Sequence, residues 1–254
     1  MSNYFKSFPK ALYLFGNETT PVAYQDLSTF NNYINLISEE ISAYIEYEIQ
    51  DFERPDSLAY KLYGNSQYDW TFFSINDNIR EGGWPLSLQD AFDLATQKKY
   101  KDWTCKVSFN FNSADSAATL ADLYPVGQEV KLTGGSGGIM YVKSKNLQVG
   151  EITVYSKNYS FDSDFSASSA LSYSMDSNTL PLASVVREAY GTYEYRNTNK
   201  EPIDYFFDTE VVPKIQVTNL DKLIEDNDKL KRIRIIKKEL IGNVVGKYKS
   251  LIGR

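Results

Sequence analysis

"RPDSLAYKLYGNSQYDWTFFSINDNI", Arg54 to Ile79, decides how this chain of 254 residues is read. Pro55 fixes the approach to a helix and Asp56 is placed to cap it. Leu58, Ala59, Leu62 and Tyr63 follow at spacings that put them on one buried face. Gly64 comes next, where glycine reaches the left-handed conformation that ends a helix at little steric cost. Asn65 continues the turn. A second helix starts near Ser66–Gln67 and presents Tyr68, Trp70 to Phe73 and Ile75, and Asn76, Asp77 and Asn78 stop it. Two short helices around a tight turn are not stable alone. They need a surface to lie on, most simply a small sheet.

Candidate strands for that sheet lie on both sides. Upstream, "AYIEYEIQDF" alternates Tyr44, Glu46 and Glu48 against Ile45, Tyr47 and Ile49. Downstream, Ile233 and Ile235 alternate around Arg234 and the run ends at Ile236. On such a strand Arg232 and Arg234 share one face and the two isoleucines the other. A terminal helix follows, marked by Leu240, Ile241, Val244, Val245, Tyr248, Leu251 and Ile252, despite Gly242 and Gly246 inside it.

Ahead of the first strand, Asp26 caps an expected helix whose stripe is Leu27, Phe30, Ile34, Ile37, Ile41 and Ile45, so the strand signal overlaps the helix end and the change is placed near Ser42 to Tyr47. Residues 1–25 are irregular and aromatic, with Tyr4, Phe5, Phe8, Tyr13, Phe15 and Tyr24 interrupted by Pro9 and Pro21. Those rings need burial against this chain's own core or another subunit, and the sequence leaves both open.

After the helix pair, Ser87 caps a helix from Leu88 to about Tyr100. The character then changes. Val107, Phe109 and Phe111 alternate, and strands are expected around Val130–Leu132, Ile139–Val142 and Ile152–Tyr155. Gly134–Gly138 reads as a hairpin turn; it lacks the lysine and hydroxyl residue of a phosphate loop. The serine-rich stretch Asn158–Asn178 reads as loop or irregular edge. The expected division is therefore 1–43, arm and long helix; 44–104, first part of the core; 105–213, an inserted β-rich domain; and 214–254, a returning strand and helix.

Composition narrows function. The chain has no histidine and one cysteine, Cys105. That removes Ser–His and Cys–His nucleophile systems and leaves a zinc site only carboxylates. It also argues against a disulfide framework. No apolar run is long enough to span a bilayer, and no signal peptide is evident. Net charge is −6, which does not favour nucleic acid. From Lys214 to Arg254, however, 11 Lys/Arg face 5 Asp/Glu, a net +6 that leaves −12 on the rest. Lys229, Lys231, Arg232, Arg234, Lys237 and Lys238 concentrate that charge. The plain reading is a solvated strand face; the functional one is a protein-contact surface. The acidic pairs Glu39/Glu40, Asp162/Asp164 and Asp226/Asp228 are ordinary solvated carboxylates unless a cleft joins them.

The helix pair also resembles the LysM-like segment of the baseplate wedge subunit of T4-type contractile-tailed phages. The shared features are the lead-in Tyr44–Phe52, "YGN" at Tyr63–Gly64–Asn65, Trp70, and the ending Asn76–Asp77–Asn78. The opening "YFKSFPKALY" looks like the family's N-terminal pattern, and "DKLKRIRIIKKELIGNVVGKYKSLI" is similar to its closing strand and helix. The resemblance covers about 1–100 and 215–254. The chain departs from it by the β-rich insert, and by Lys237–Lys238 where the family often has a proline.

The resemblance implies an α+β fold: a discontinuous LysM-like helix pair on a small antiparallel sheet, an N-terminal helical extension and an inserted β-rich domain. Leu58, Leu62, Tyr63, Gly64, Asn65, Trp70 and Asn76 would form the LysM-like core. It implies a structural subunit of the virion's tail baseplate, assembled in the host cytoplasm, that links neighbouring wedge proteins and has no catalytic residues, cofactor, metal, nucleic acid, membrane or small-molecule partner. Expected contact residues are Tyr4, Phe5, Phe8, Tyr13, Phe15, Lys231, Arg232, Arg234 and Lys237. The rival readings are a LysM-type glycan-binding module that stacks sugars on Tyr63, Tyr68 or Trp70, and a carboxylate-based cell-wall hydrolase.

Overall fold

Alternation of arginine and isoleucine makes Arg232–Ile236 a strand with one apolar face, and its burial follows that pattern until Ile236, which is also buried. It pairs antiparallel with Tyr44–Glu48, with Ile233 opposite Tyr47 and Ile235 opposite Ile45. The computed structural model describes residues 9–14, 16, 19–25, 43–107, 125–133, 139–156, 170–175, 178–205, 208 and 213–252. The expected helix over 26–41, the 134–138 turn, and Tyr4, Phe5, Phe8 and Phe15 lie outside the described residues.

The described elements, in order, begin with strands β1 (Lys10–Tyr13), β2 (Val22–Gln25) and β3 (Tyr44–Glu48). Helices α1 (Pro55–Tyr63), α2 (Trp70–Ile75), α3 (Asp77–Gly82) and α4 (Leu88–Asp93) follow. Strands β4 (Trp103–Val107), β5 (Glu129–Thr133), β6 (Ile139–Asn146), β7 (Glu151–Tyr155), β8 (Ala170–Met175) and β9 (Asn178–Arg187) come next. The last group is β10 (Thr192–Arg196), β11 (Pro202–Ile203), β12 (Ile215–Thr218), α5 (Asn219–Lys231), β13 (Arg232–Ile236) and α6 (Lys238–Ile252). The result is a mixed α+β fold with small antiparallel sheets. By contacts the chain divides into two compact units, Met1–Ser87 with Asp226–Arg254, and Leu88–Glu225.

In the first unit, β3, α1, α2 and β13 form a strand–helix–helix–strand arrangement. Leu58, Ala59, Phe72 and Ile79 pack on Ile49, Ile233 and Ile235. Trp70 and Ile75 face the other way, onto Ile236 and the α6 side chains Ile241, Val244, Val245 and Tyr248. Fully burying a side chain such as Phe72 or Leu58 contributes about 1.5–3 kcal/mol. Gly64 adopts φ 72°, and its N–H donates to the Tyr60 carbonyl, closing α1 as expected.

Local details differ from the expectation. Arg54, not Asp56, occupies the position ahead of α1, because Pro55 already starts the helix and moves Asp56 into its first turn. There Asp56 pairs with Arg54 at 3.1 Å. Between Gly64 and α2 runs a 3₁₀ turn, Ser66–Tyr68, whose first amides are met by Asn65: its side chain accepts from Gln67 N–H at 3.0 Å. Asn76 ends α2, but Asn76–Asp77–Asn78 does not end the helical run; Asp77 opens α3. Helix α4 does run on to Lys99, through a π turn over Leu94–Lys99. Helix α5 is a further departure, for which no helix was expected. Its start is a capping box: Thr218 Oγ1 accepts from Asp221 N–H at 3.1 Å, and Asp221 accepts from Thr218 N–H at 3.0 Å.

In the second unit, β4-β7-β6-β5-β8-β9 closes into a six-stranded barrel because β4 pairs with both β7 and β9. Cys105, Val130, Met140, Val142, Ile152 and Val154 are buried. Strand β8 falls inside the stretch read as loop or irregular edge. Alternating small and aromatic residues suit an edge, but here β5 and β9 pair with it on both sides. A three-stranded sheet, β11-β10-β12, completes this unit.

Candidate protein interface

The exposed side of the two-stranded sheet is where the basic cluster lands. The register sets Arg232 opposite Glu48 and Arg234 opposite Glu46, so this face alternates charge across the strands. An open depression of about 670 Å³ lies there, lined by Glu46, Glu48, Asp77, Asn78, Arg232 and Arg234 among others. Its lining is polar and charged, as a protein-contact rim is, and unlike the apolar cleft of a small-ligand site.

The four basic residues named from sequence differ in their surroundings. Arg232 and Arg234 are exposed. The Arg234 guanidinium sits 5.1 Å from the centre of the Tyr44 ring, a cation–π contact across the strands. Lys231 is held by Asp51 at 3.1 Å and by Asp228 at 3.0 Å. Its hydrogen bond to Asp228, and then that to Asp51, raise its pKa against the opposing effect of burial. Lys237 is half-buried, and its N–H donates to the Ala43 carbonyl.

The strand is set in place by residues the sequence did not single out for this purpose. Asn76, buried, donates Nδ2–H to the carbonyls of Phe72 and Arg234, both at 2.8 Å, and accepts from Arg234 N–H at 2.7 Å. Asn78 donates to the Arg232 carbonyl at 3.1 Å and Tyr63 donates its hydroxyl to the Ile236 carbonyl at 3.0 Å. Burial pushes the Tyr63 phenol well above its ordinary pKa, with that hydrogen bond pulling the other way. A second brace holds the end of β3. Glu53 accepts from Tyr47 Oη and from Lys61 Nζ, each at 3.0 Å, and its carbonyl accepts from Trp84 Nε1 at 2.7 Å. Burial alone would lift the Glu53 carboxyl, but hydrogen bonds from Lys61, the Gln50 amide and Tyr47 hold it below its usual value.

The residues expected to form a LysM-like core fall together. Leu58 is buried and Leu62 half-buried on the sheet side. Tyr63 lies between the two apolar clusters. Trp70 is 7% exposed and stacks on Tyr248, ring centres 4.9 Å apart. Tyr68 packs against the same cluster as Trp70. Stacking a sugar would require an exposed ring face, and Trp70 offers none. Asp226 and Asp228, the acidic pair within the described residues, are engaged with Lys229 and Lys231. Among the described residues no group of three or more His, Cys, Asp or Glu is placed to hold a metal ion. Cys105 is fully buried, and burial followed by the Glu151 charge keeps it a thiol. Among the described residues no helix is long and apolar enough to cross a membrane.

Tyr13 sits at the end of β1, 59% exposed. Its hairpin partner Tyr24 is 46% exposed, and Leu12 and Val22 are exposed as well.

A protein-family model described as base plate wedge protein 53 matches residues 4–115, somewhat under half of the chain. No curated protein matches the sequence.

Proposed function

We propose that the chain is a structural subunit of a phage tail baseplate wedge that links neighbouring wedge proteins through protein–protein contacts. The observation that carries this reading is the similarity of residues 4–115 to base plate wedge protein 53, a stretch that includes the exposed hairpin, β3 and helices α1–α4. The work is done by shape, apolar burial and charge pairing rather than by chemistry. The mixed-charge sheet face suits a partner with its own alternating charges. The exposed aromatics of the hairpin suit a partner that buries them.

The finer assignments belong to the same proposal. The LysM-like reading is supported by the strand–helix–helix–strand order of β3, α1, α2 and β13, with the core split between 44–104 and 214–254 and the β-rich stretch 105–213 inserted. The contact residues are Tyr4, Phe5, Phe8, Tyr13 and Phe15 on the N-terminal arm and Lys231, Arg232, Arg234 and Lys237 on the sheet. The partners are other wedge proteins, with no nucleic acid, membrane or small molecule needed. The place is the tail baseplate of the virion, assembled in the host cytoplasm. The burial of Trp70 weighs against a glycan-stacking module.

The test is affinity purification of the tagged chain from phage-infected cells, with mass spectrometry of what accompanies it. Several other tail proteins are expected, and fewer of them with an Arg232→Glu/Arg234→Glu variant. Recovery of cell-wall glycan and no tail protein would overturn the reading.

A further inference from the structure

Strand β3 has two edges, and β13 occupies one. Ile49 N–H donates to the Lys231 carbonyl at 2.9 Å, and Lys237 N–H donates to the Ala43 carbonyl at 3.0 Å. Antiparallel alternation therefore turns the backbone groups of Ala43, Ile45, Tyr47 and Ile49 toward β13, and those of Tyr44, Glu46 and Glu48 away from it. The matching outward carbonyls of β13, on Arg232, Arg234 and Ile236, are covered by Asn78, Asn76 and Tyr63. On β3 the Glu48 carbonyl is the one outward group met among the described residues, by Gln50 Nε2 at 2.9 Å. The outward amide and carbonyl of Glu46 have no partner among the described residues. An open strand edge of this kind is a template for another strand.

The same chain carries a strand pair that joins no larger sheet among the described residues. Hairpin β1–β2 is a separate two-stranded sheet, and Lys10 to Leu14 and Val22 to Tyr24 are all exposed, Leu12 at 71%. A lone two-stranded hairpin is marginal in water. Its strands have four residues each, against five in β3. The charges also match. Residues 1–17 contain Lys6 and Lys10 and no Asp or Glu, whereas β3 carries Glu46 and Glu48, both exposed.

We propose that strand β1 of one copy adds to the open edge of β3 in a second copy, giving a four-stranded sheet ordered β2-β1-β3-β13 across the contact. Outward backbone groups of β3 supply the hydrogen bonds, and Lys10 lies near Glu46 and Glu48. Each copy donates a hairpin and presents an edge, so two copies exchange hairpins where a two-fold axis relates them, and a head-to-tail arrangement builds a ring where its rotation closes. This deepens the wedge reading by naming a second copy as the partner at the β3 edge, and it rests on that reading for its setting alone.

The test is sedimentation velocity of the full chain over a concentration series, joined to cysteine trapping. Chains carrying Leu12→Cys, on the same face of β1 as Lys10, are mixed with chains carrying Glu46→Cys under mild oxidation; Cys105 is buried and stays silent. Concentration-dependent association and a disulfide between the two kinds of chain are expected. Glu46→Pro, which removes an outward amide and leaves the β13 ladder intact, should abolish association. Should that variant fail to fold, Glu46→Lys/Glu48→Lys serves instead: association should weaken at least about tenfold, one step of about 1.4 kcal/mol, and recover in part with Lys10→Glu. A chain that stays monomeric throughout, association unmoved by the charge variants, or no disulfide between the two kinds of chain would overturn the proposal. Capture of tail proteins by a strictly monomeric chain would leave the wedge reading standing and sink this one. Self-association without such capture would do the reverse.

Discussion

The side-chain amide of Asn76 and the backbone of Arg234 bond in both directions, at 2.8 Å from Nδ2 to the carbonyl and 2.7 Å from the amide to Oδ1. A side chain at the end of α2 thus does what a third strand would do for β13. It leaves the sheet two-stranded, yet closes one of its edges. The other edge, on β3, has no strand beside it among the described residues, so the two edges of the sheet differ.

Asn76→Asp tests the closed edge. A carboxylate cannot donate to the Phe72 and Arg234 carbonyls, and it sets negative charge against both. Two lost bonds at a buried site should cost about 2–4 kcal/mol. Urea denaturation would read this as a lower midpoint with unchanged slope. An unchanged midpoint would mean that the amide does not hold the strand.

Trp70→Ala removes the ring that stacks on Tyr248 and joins α2 to α6. Its expected cost is about 3–5 kcal/mol, from lost burial and the cavity left behind. Tryptophan fluorescence of the unsubstituted chain should not respond to peptidoglycan fragments, since Trp70 is buried. A saturable response lost in this variant would bring back glycan binding.

Acid should loosen the β3 brace through Glu53. Its pKa is depressed in the folded chain, so it contributes stability that is fully present above the unfolded value, about 4.3. That contribution is lost as pH falls through the lower folded value. Thermal melts should show a fall in Tm below about pH 4.3 that is shallower in Glu53→Gln. Parallel curves for the two proteins would rule out this linkage.

Gly242 and Gly246 lie in α6, both exposed, and a Cβ at either would meet nothing within 4 Å. Alanine at both should stabilise the helix by about 1 kcal/mol each. A rise in Tm is expected by calorimetry. A fall would mean that the helix needs its glycines for a reason other than its own geometry.

Much of the first unit could be read from neighbours in the chain. The Gly64 turn, the alternation in Arg232–Ile236 and the stripe of α6 were all legible, because φ preference and apolar period act over a few residues. Helix α5 was legible in part: Thr218 and Asp221 have capping-box spacing, but four acidic and three basic residues over Asn219–Lys231 blur its apolar stripe. The use of Asn76 was not legible. As a residue type it reads as a helix stop, and its partner Arg234 lies 158 positions away.

The same division runs through the whole protein. By itself the sequence determined the helices and strands whose apolar period is strong, such as α1, β13 and α6, where glycine is needed to close α1, and which reactions are out of reach without histidine. Those properties depend on local geometry and on side-chain inventory. Tertiary structure alone decided that β4 closes a barrel by pairing on both sides, that Lys231 is held between Asp51 and Asp228, and that Trp70 faces Tyr248 rather than solvent. Each depends on which distant residue fills the space beside it. Chain connectivity permits many such neighbours, and packing together with hydrogen-bond satisfaction selects among them.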